Sequence, residues 1–221
     1  MNKEILKRIL SSIILIPIAL FFVIKGSYFF NFFILICFLI SSYEWHLMSK
    51  NKKYHLSGFI FIIFSFYTVY YLRNETFGDY LYFITIIMIC IFTDVGGYLF
   101  GKIFKGPKLT KISPNKTYAG MIGGYLFSIM FMSIFFNNLD FFSQIINIST
   151  SGTELTLVNF ILVIVISTVS QLGDIIVSYF KRLSKIKNTG KIIPGHGGLL
   201  DRIDGMIFTF PVFYLITKIF Y

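Results

Sequence analysis

Seven stretches of this chain are too long and too apolar to be hidden inside a water-soluble fold of its size. They are Ile9–Ile24, Phe29–Met48, Leu56–Leu72, Tyr80–Phe100, Met121–Phe136, Leu157–Val177 and Met206–Phe220. A bilayer core of about 30 Å takes roughly 17–25 helical residues to cross. The chain is therefore expected to be an all-α polytopic membrane protein with about seven transmembrane helices, forming one membrane domain over residues 1–221. Composition agrees: 56% of the residues are hydrophobic and 14% charged, against about 45–50% and about 25% in an average soluble domain. The segment Met1–Gly26 has basic residues before its apolar run. That run is long for a signal peptide and no small-x-small cleavage site follows, so it is read as a retained first span. Cys37 and Cys90 both sit inside apolar runs, as small buried hydrophobes do, and no disulfide framework is expected.

The basic residues orient this bundle. With the N-terminus in the cytoplasm, seventeen of the 20 Lys and Arg fall in cytoplasmic segments, and only Lys25, Arg73 and Lys218 fall outside. A miscounted early span would reverse every later loop, so the positive-inside rule predicts N-terminus cytoplasmic and C-terminus outside. The outer loop from Asn137 to Thr156 holds Asp140 and Glu154 but no Lys or Arg, and is expected to be a solvated connector.

Two cytoplasmic segments concentrate the polar chemistry. One runs from Asp94 to Met121, the other from Gln171 to Gly205. Asp94 and Asp174 each lie in the last turns of an apolar helix, where a charge is costly unless it faces a cavity or a partner. If the sixth span continues as a helix, Asp174, Ser178, Lys181 and Arg182 share one face. A carboxylate, a hydroxyl and two cations there can hold a metal ion and a phosphate side by side. The basic run Lys181 to Lys191 also suits anionic headgroups.

Pro194-Gly195-His196-Gly197-Gly198 is dense enough in glycine for backbone N–H groups to approach an anion. Asp201 and Asp204 follow as i, i+3 neighbours around Arg202. Their hard oxygens suit Mg²⁺, which commonly bridges to substrate phosphates. His196 is expected to donate to a phosphate oxygen. In the other segment, Ser113-Pro114-Asn115-Lys116-Thr117 presents a turn, a cation and two hydroxyls, with Lys116 suited to a phosphate. Trp45 is expected to be an interfacial anchor, and Glu44 beside it is a weaker site candidate.

These residues carry a resemblance. Ser178-Tyr-Phe-Lys181-Arg182, four further residues, Lys187-Asn188-Thr-Gly190, and Ile193 through Asp204 keep their spacing over 27 positions without a gap. In that spacing the chain resembles the phosphatidate cytidylyltransferases, the CDP-diacylglycerol synthases. Gln171-Leu-Gly173-Asp174, Asp94…Gly97-Tyr98 and Ser113 to Thr117 are similar to the family's as well, so the likeness spans roughly the C-terminal sixty per cent. Asn188, Ala119 and Asn115 depart from it, standing where Asp, an acidic residue and Lys are usual. The resemblance implies the reaction CTP + phosphatidate → CDP-diacylglycerol + pyrophosphate at the inner cell membrane, with Mg²⁺, alone or with a monovalent cation. It implies Asp174 and Asp201 as metal ligands and Asp204 as a third, with Lys181, Arg182, Arg202 and His196 clamping the triphosphate. Lys116, Ser113 and Thr117 would hold the lipid phosphate or the nucleotide, with Ser178, Gly197, Gly198 and Asp94 completing the substrate contacts. Membrane lipid is the expected neighbour, nucleic acid is not, and a homodimer is left open.

Competing classes are a CTP-dependent lipid kinase, which would transfer the γ-phosphate, and a non-catalytic protein binding anionic lipid. The residue spacing that a CDP-alcohol phosphotransferase needs is missing. An anion transporter would line a path with charge, whereas the outer half of every span here is almost uncharged.

Overall fold

The computed structural model describes residues 3–74, 81–138, 157–195 and 197–220. Its elements are α1 (Lys3–Lys25), α2 (Ser27–Ser49), α3 (His55–Asn74), α4 (Leu81–Phe104), α5 (Tyr118–Asn137), α6 (Leu157–Leu183), the short α7 (Leu200–Ile203) and α8 (Met206–Phe220). Among the described residues the only β features are two isolated bridges, Lys108 with Thr117 and Ile193 with Gly197. In their described residues, the apolar runs of the sequence lie on helices. Five helices, α2 to α6, are long and apolar enough to cross a membrane, and two shorter apolar ones are Ile13–Lys25 and Met206–Ile219. His196 and most of the Asn137–Thr156 loop lie outside the described residues.

The helices run past the apolar stretches, because hydropathy marks lipid depth whereas a helix ends where its hydrogen bonds do. The sixth helix continues six residues beyond Val177 to Leu183, which extends its polar face. Between α1 and α2 the chain turns at a single residue, Gly26, with φ +62°. There Arg73 donates through Nε and Nη2 to the carbonyl of Val23 at 2.8 and 2.7 Å, satisfying an orphan acceptor at the end of α1.

One core packs Phe30, Leu72, Phe83, Ile86, Met132 and Ile166 between the helices. A second, toward the charged end, holds Trp45, Met48, Ile62, Val177, Leu200 and Ile207. Small polar groups tie helices together inside these cores. Ser65 donates to the Ile207 carbonyl at 2.7 Å, Thr93 to Ser167 at 2.9 Å, and Tyr125 bonds Thr168 at 2.9 Å. Interhelical bonds of this kind suit an apolar setting that offers no water. The outward faces carry exposed Ile, Leu and Phe, such as Ile13, Phe32, Ile60, Ile122 and Leu157, as a lipid-facing surface requires. The tightest pair is α4 with α5. A Cβ on Gly96 would lie 2.5 Å from the Gly123 carbonyl, and one on Gly120 would lie 2.7 Å from the Gly97 carbonyl. That close approach sets Asp94 and the turn before α5 at one end of the bundle.

Candidate active site

The last turns of α6 carry the face anticipated from the sequence, with one exception. Ser178 donates to Asp174 Oδ1 at 3.4 Å. Lys181 Nζ lies 2.9 Å from Asp201 Oδ1 and 3.7 Å from Asp204 Oδ2. Arg182 turns away, is exposed, and donates to the Ile186 carbonyl at 3.0 Å, so it serves the end of its own helix. At Gly173 a Cβ would stand 3.0 Å from the Asp204 carbonyl. The missing side chain lets the α7–α8 junction approach α6, so that Asp204 faces Asp174. Burial, reinforced by the nearby Asp174 carboxylate, pushes the Asp204 carboxyl well above the usual carboxylate range, against the pull of Lys181.

A second polar segment meets the first at Asp174. Residues 107–118 form a compact turn in which Leu109 N–H donates to the Lys116 carbonyl at 2.8 Å and Tyr118 N–H to the Pro107 carbonyl at 3.2 Å. From this turn Lys116 Nζ reaches Asp174 Oδ2 as an ion pair. Asp94, exposed on α4, lies within electrostatic reach of Asp174, Lys116 and Arg202. Ser113 shapes the turn through its backbone, donating to Thr110 Oγ1 at 3.1 Å and accepting from Lys116 N–H at 3.0 Å. Thr117 caps α5, its hydroxyl accepting from Gly120 N–H at 3.1 Å. The structure thus gathers Asp94, Asp174, Asp204, Lys116 and Lys181 into one charged cluster. It gives the Thr117 hydroxyl a capping bond within the fold.

The glycine-rich loop departs from expectation most. Its N–H groups do converge on anions, but the anions are the protein's own. Asp201 Oδ2 accepts from Thr189 N–H at 2.8 Å and from Gly198 N–H at 3.1 Å. Glu44, from α2, accepts from Leu199 N–H at 2.9 Å, from Leu200 N–H at 2.8 Å and from the Thr189 hydroxyl at 2.9 Å. The glycines are there to let these carboxylates in. A Cβ on Gly198 would stand 2.5 Å from Glu44 Oε2, and one on Gly190 would stand 2.6 Å from Glu44 Oε1. Gly197 adopts φ +93°, open to glycine at little cost, and closes the loop by paired bonds with Ile193 at 2.9 and 3.1 Å. Both Asp201 oxygens are thus engaged by protein donors. Among the described residues, no three of His, Cys, Asp and Glu already stand at metal-ligand spacing.

Comparison with known proteins converges on one family. The profile of the "Cytidylyltransferase family" matches residues 6–80 and 54–220. A phosphatidate cytidylyltransferase of Rickettsia felis is 34% identical over 230 residues, covering 98% of this chain and 93% of the relative. Its Rickettsia typhi counterpart is 34% identical, covering 96% and 92%. One from Staphylococcus saprophyticus is 33% identical, covering 79% of this chain and 64% of its own. The match runs through both polar segments and the α2 helix that anchors the loop, and this chain belongs to the cytidylyltransferase family.

Proposed function

We propose that this chain is a CTP:phosphatidate cytidylyltransferase, making CDP-diacylglycerol and pyrophosphate at the cytoplasmic face of the inner cell membrane. The observation that carries the reading is the charged cluster itself, where Asp94, Asp174, Asp204, Lys116 and Lys181 meet at one end of an apolar bundle. The relatives bearing that activity match nearly the full chain. Seven spans, with the N-terminus in the cytoplasm and the C-terminus outside, put this charged end and seventeen of the 20 Lys and Arg on the cytoplasmic side.

The chemistry asks for positioning and charge neutralisation, not for a strong base. A phosphate oxygen of phosphatidate, already anionic at neutral pH, attacks the α-phosphorus of CTP. The bond from that phosphorus to the bridging oxygen of the β-phosphate breaks, and pyrophosphate leaves with the electron pair. No proton has to be removed from the nucleophile, in keeping with a site built of carboxylates and cations. We assign the lipid phosphate to Lys116, because the flanks of its segment, Tyr98, Phe104, Tyr118 and Ile122, are exposed apolar side chains continuous with the lipid-facing surface. We assign the triphosphate to Lys181 and Arg202, with His196 as a further candidate from the sequence motif alone.

The donor chemistry of the cluster fits Mg²⁺. Burial, and then the neighbouring Asp174 carboxylate, raise the Asp204 carboxyl, and a hard cation would relieve the repulsion between these carboxylates. Asp174 and Asp204 are the residues placed to hold it, with Asp94 beside them, while Asp201 as a ligand would have to exchange part of its present bonding. The bound ion would supply charge neutralisation on the phosphates. The test is the purified chain in phospholipid vesicles with Mg²⁺, phosphatidate and CTP labelled separately on the α- and γ-phosphates. α-Label entering lipid with release of labelled pyrophosphate is expected; γ-label in lipid would point to a kinase, and no transfer from either would overturn the assignment.

A further inference from the structure

We propose that Glu44 is the positioning residue of the nucleotide half of the site, acting on CTP and leaving phosphatidate untouched. The inference rests on the cytidylyl-transfer reading above. Glu44 is 1% exposed, the one carboxylate in a largely apolar helix. A carboxylate buried there is costly unless its oxygens are fully bonded. The described bonds supply three donors, two backbone N–H groups and one hydroxyl, all from the loop 155, 156 and 145 residues further along the chain. All three are neutral, so the carboxylate is placed for shape. Its two oxygens together accept three hydrogens, which an amide at the same position cannot do without aiming its own NH₂ at one of them.

What Glu44 holds is specific. Leu199 and Leu200 immediately precede Asp201, Arg202 and Asp204, and their N–H groups are the unsatisfied donors at the start of α7. Thr189 is held twice, its hydroxyl by Glu44 and its N–H by Asp201. The loop is therefore strung between two carboxylates, and Glu44 is the one supplied from outside it. The clearance left by Gly190 and Gly198 is filled by Glu44 oxygens, so the loop is shaped around this side chain. By contrast, no described hydrogen bond of Glu44 reaches α4, α5 or the 107–118 turn. Loosening Glu44 should displace the residues facing the triphosphate and leave Lys116 where it is.

The experiment uses the full chain in vesicles with Mg²⁺, varying CTP and phosphatidate independently for the wild type and Glu44→Gln. A decrease of about 10–100-fold in kcat/KM for CTP is expected, with the KM for phosphatidate unchanged to within about twofold. Amide hydrogen exchange should accelerate over residues 189–200 and stay unaltered over 107–118. Wild-type CTP kinetics in Glu44→Gln, or an equal rise in both KM values, would overturn the proposal. Should Glu44→Gln yield too little folded protein, Thr189→Val removes one donor from the same carboxylate. It should show the same split at about two- to fivefold, and an unchanged KM for CTP there would also overturn it. A wild-type chain without cytidylyl transfer sinks the parent reading and this inference together. A wild type that transfers, beside a Glu44→Gln variant with unaltered CTP kinetics, sinks this inference alone.

Discussion

Lys116 and Lys181 each pair with an aspartate in the same charged cluster, yet their surroundings differ. The side chains of Lys116 and Asp174 are 25% and 29% exposed, whereas those of Lys181 and Asp201 are 10% and 5% exposed. An ion pair open to water contributes little and exchanges readily. A buried pair is costly to break, because its remaining member is left charged and unsolvated. The supports differ in the same sense. The 107–118 turn stands on α4 and α5, which meet backbone to backbone across glycines. The 188–204 loop hangs from two carboxylates, Asp201 within it and Glu44 beyond it. One half of the site is thus fixed by close-packed helices and carries a partly exposed ion pair, which suits its proposed role toward a lipid headgroup. The other half is held by the polar bonds themselves.

The sharpest way to break this contrast is at Asp201. Asp201→Asn removes the partner of Lys181 and turns an NH₂ toward donors that now meet a carboxylate. Cytidylyl transfer is expected to decrease by about 10³-fold or more, with membrane insertion unchanged. Near-full activity by the lipid-label assay would show the buried pair to be dispensable.

Next come the glycines, which separate the two kinds of support. Gly198→Ala would place a Cβ 2.2 Å from Thr189 Oγ1 and 2.5 Å from Glu44 Oε2, while Gly97→Ala meets only the Gly120 carbonyl at 3.5 Å. The first should cost about 1–3 kcal/mol in thermal unfolding. The second should be neutral or slightly stabilising, by up to about 1 kcal/mol, since alanine is the better helix former. Equal effects in a detergent melting series would erase the distinction.

The smallest expected effect lies next to the loop. Tyr54 OH bonds Ser184 Oγ at 2.9 Å, and its ring packs against Trp45 and Phe180. Tyr54→Phe keeps the ring contacts and loses only the hydroxyl bond, so about 0.5–1.5 kcal/mol of stability is expected to go. The KM for CTP should be unchanged, which would show that the loop depends on Glu44 and not on the α2–α3 turn as a whole.

Much of this was legible beforehand, and the exceptions have physical reasons. Apolar runs announced every long helix because burial in lipid demands them, and Asp174, Ser178 and Lys181 do lie on one helix with their side chains in the charged cluster. Helical spacing puts Arg182 on the same face, yet its guanidinium bonds the Ile186 carbonyl in the turn just past the helix. The spacing of the glycine loop suggests a cradle for a phosphate, whereas its N–H groups meet Asp201 and Glu44, a partner that no local pattern distinguishes from a bound anion. That residue carried the same signal as Asp94 and Asp174, a carboxylate inside an apolar helix. Its partners, 145 to 156 residues away, were out of reach of any local pattern.

The most direct test of the divided site is the mirror of the Glu44 experiment, a pair of KM values for Lys116→Ala. Removing the water-exposed cation should raise the KM for phosphatidate about tenfold and leave that for CTP unchanged. A rise confined to CTP, or an equal rise for both substrates, would contradict the assignment of the two lysines to different substrates.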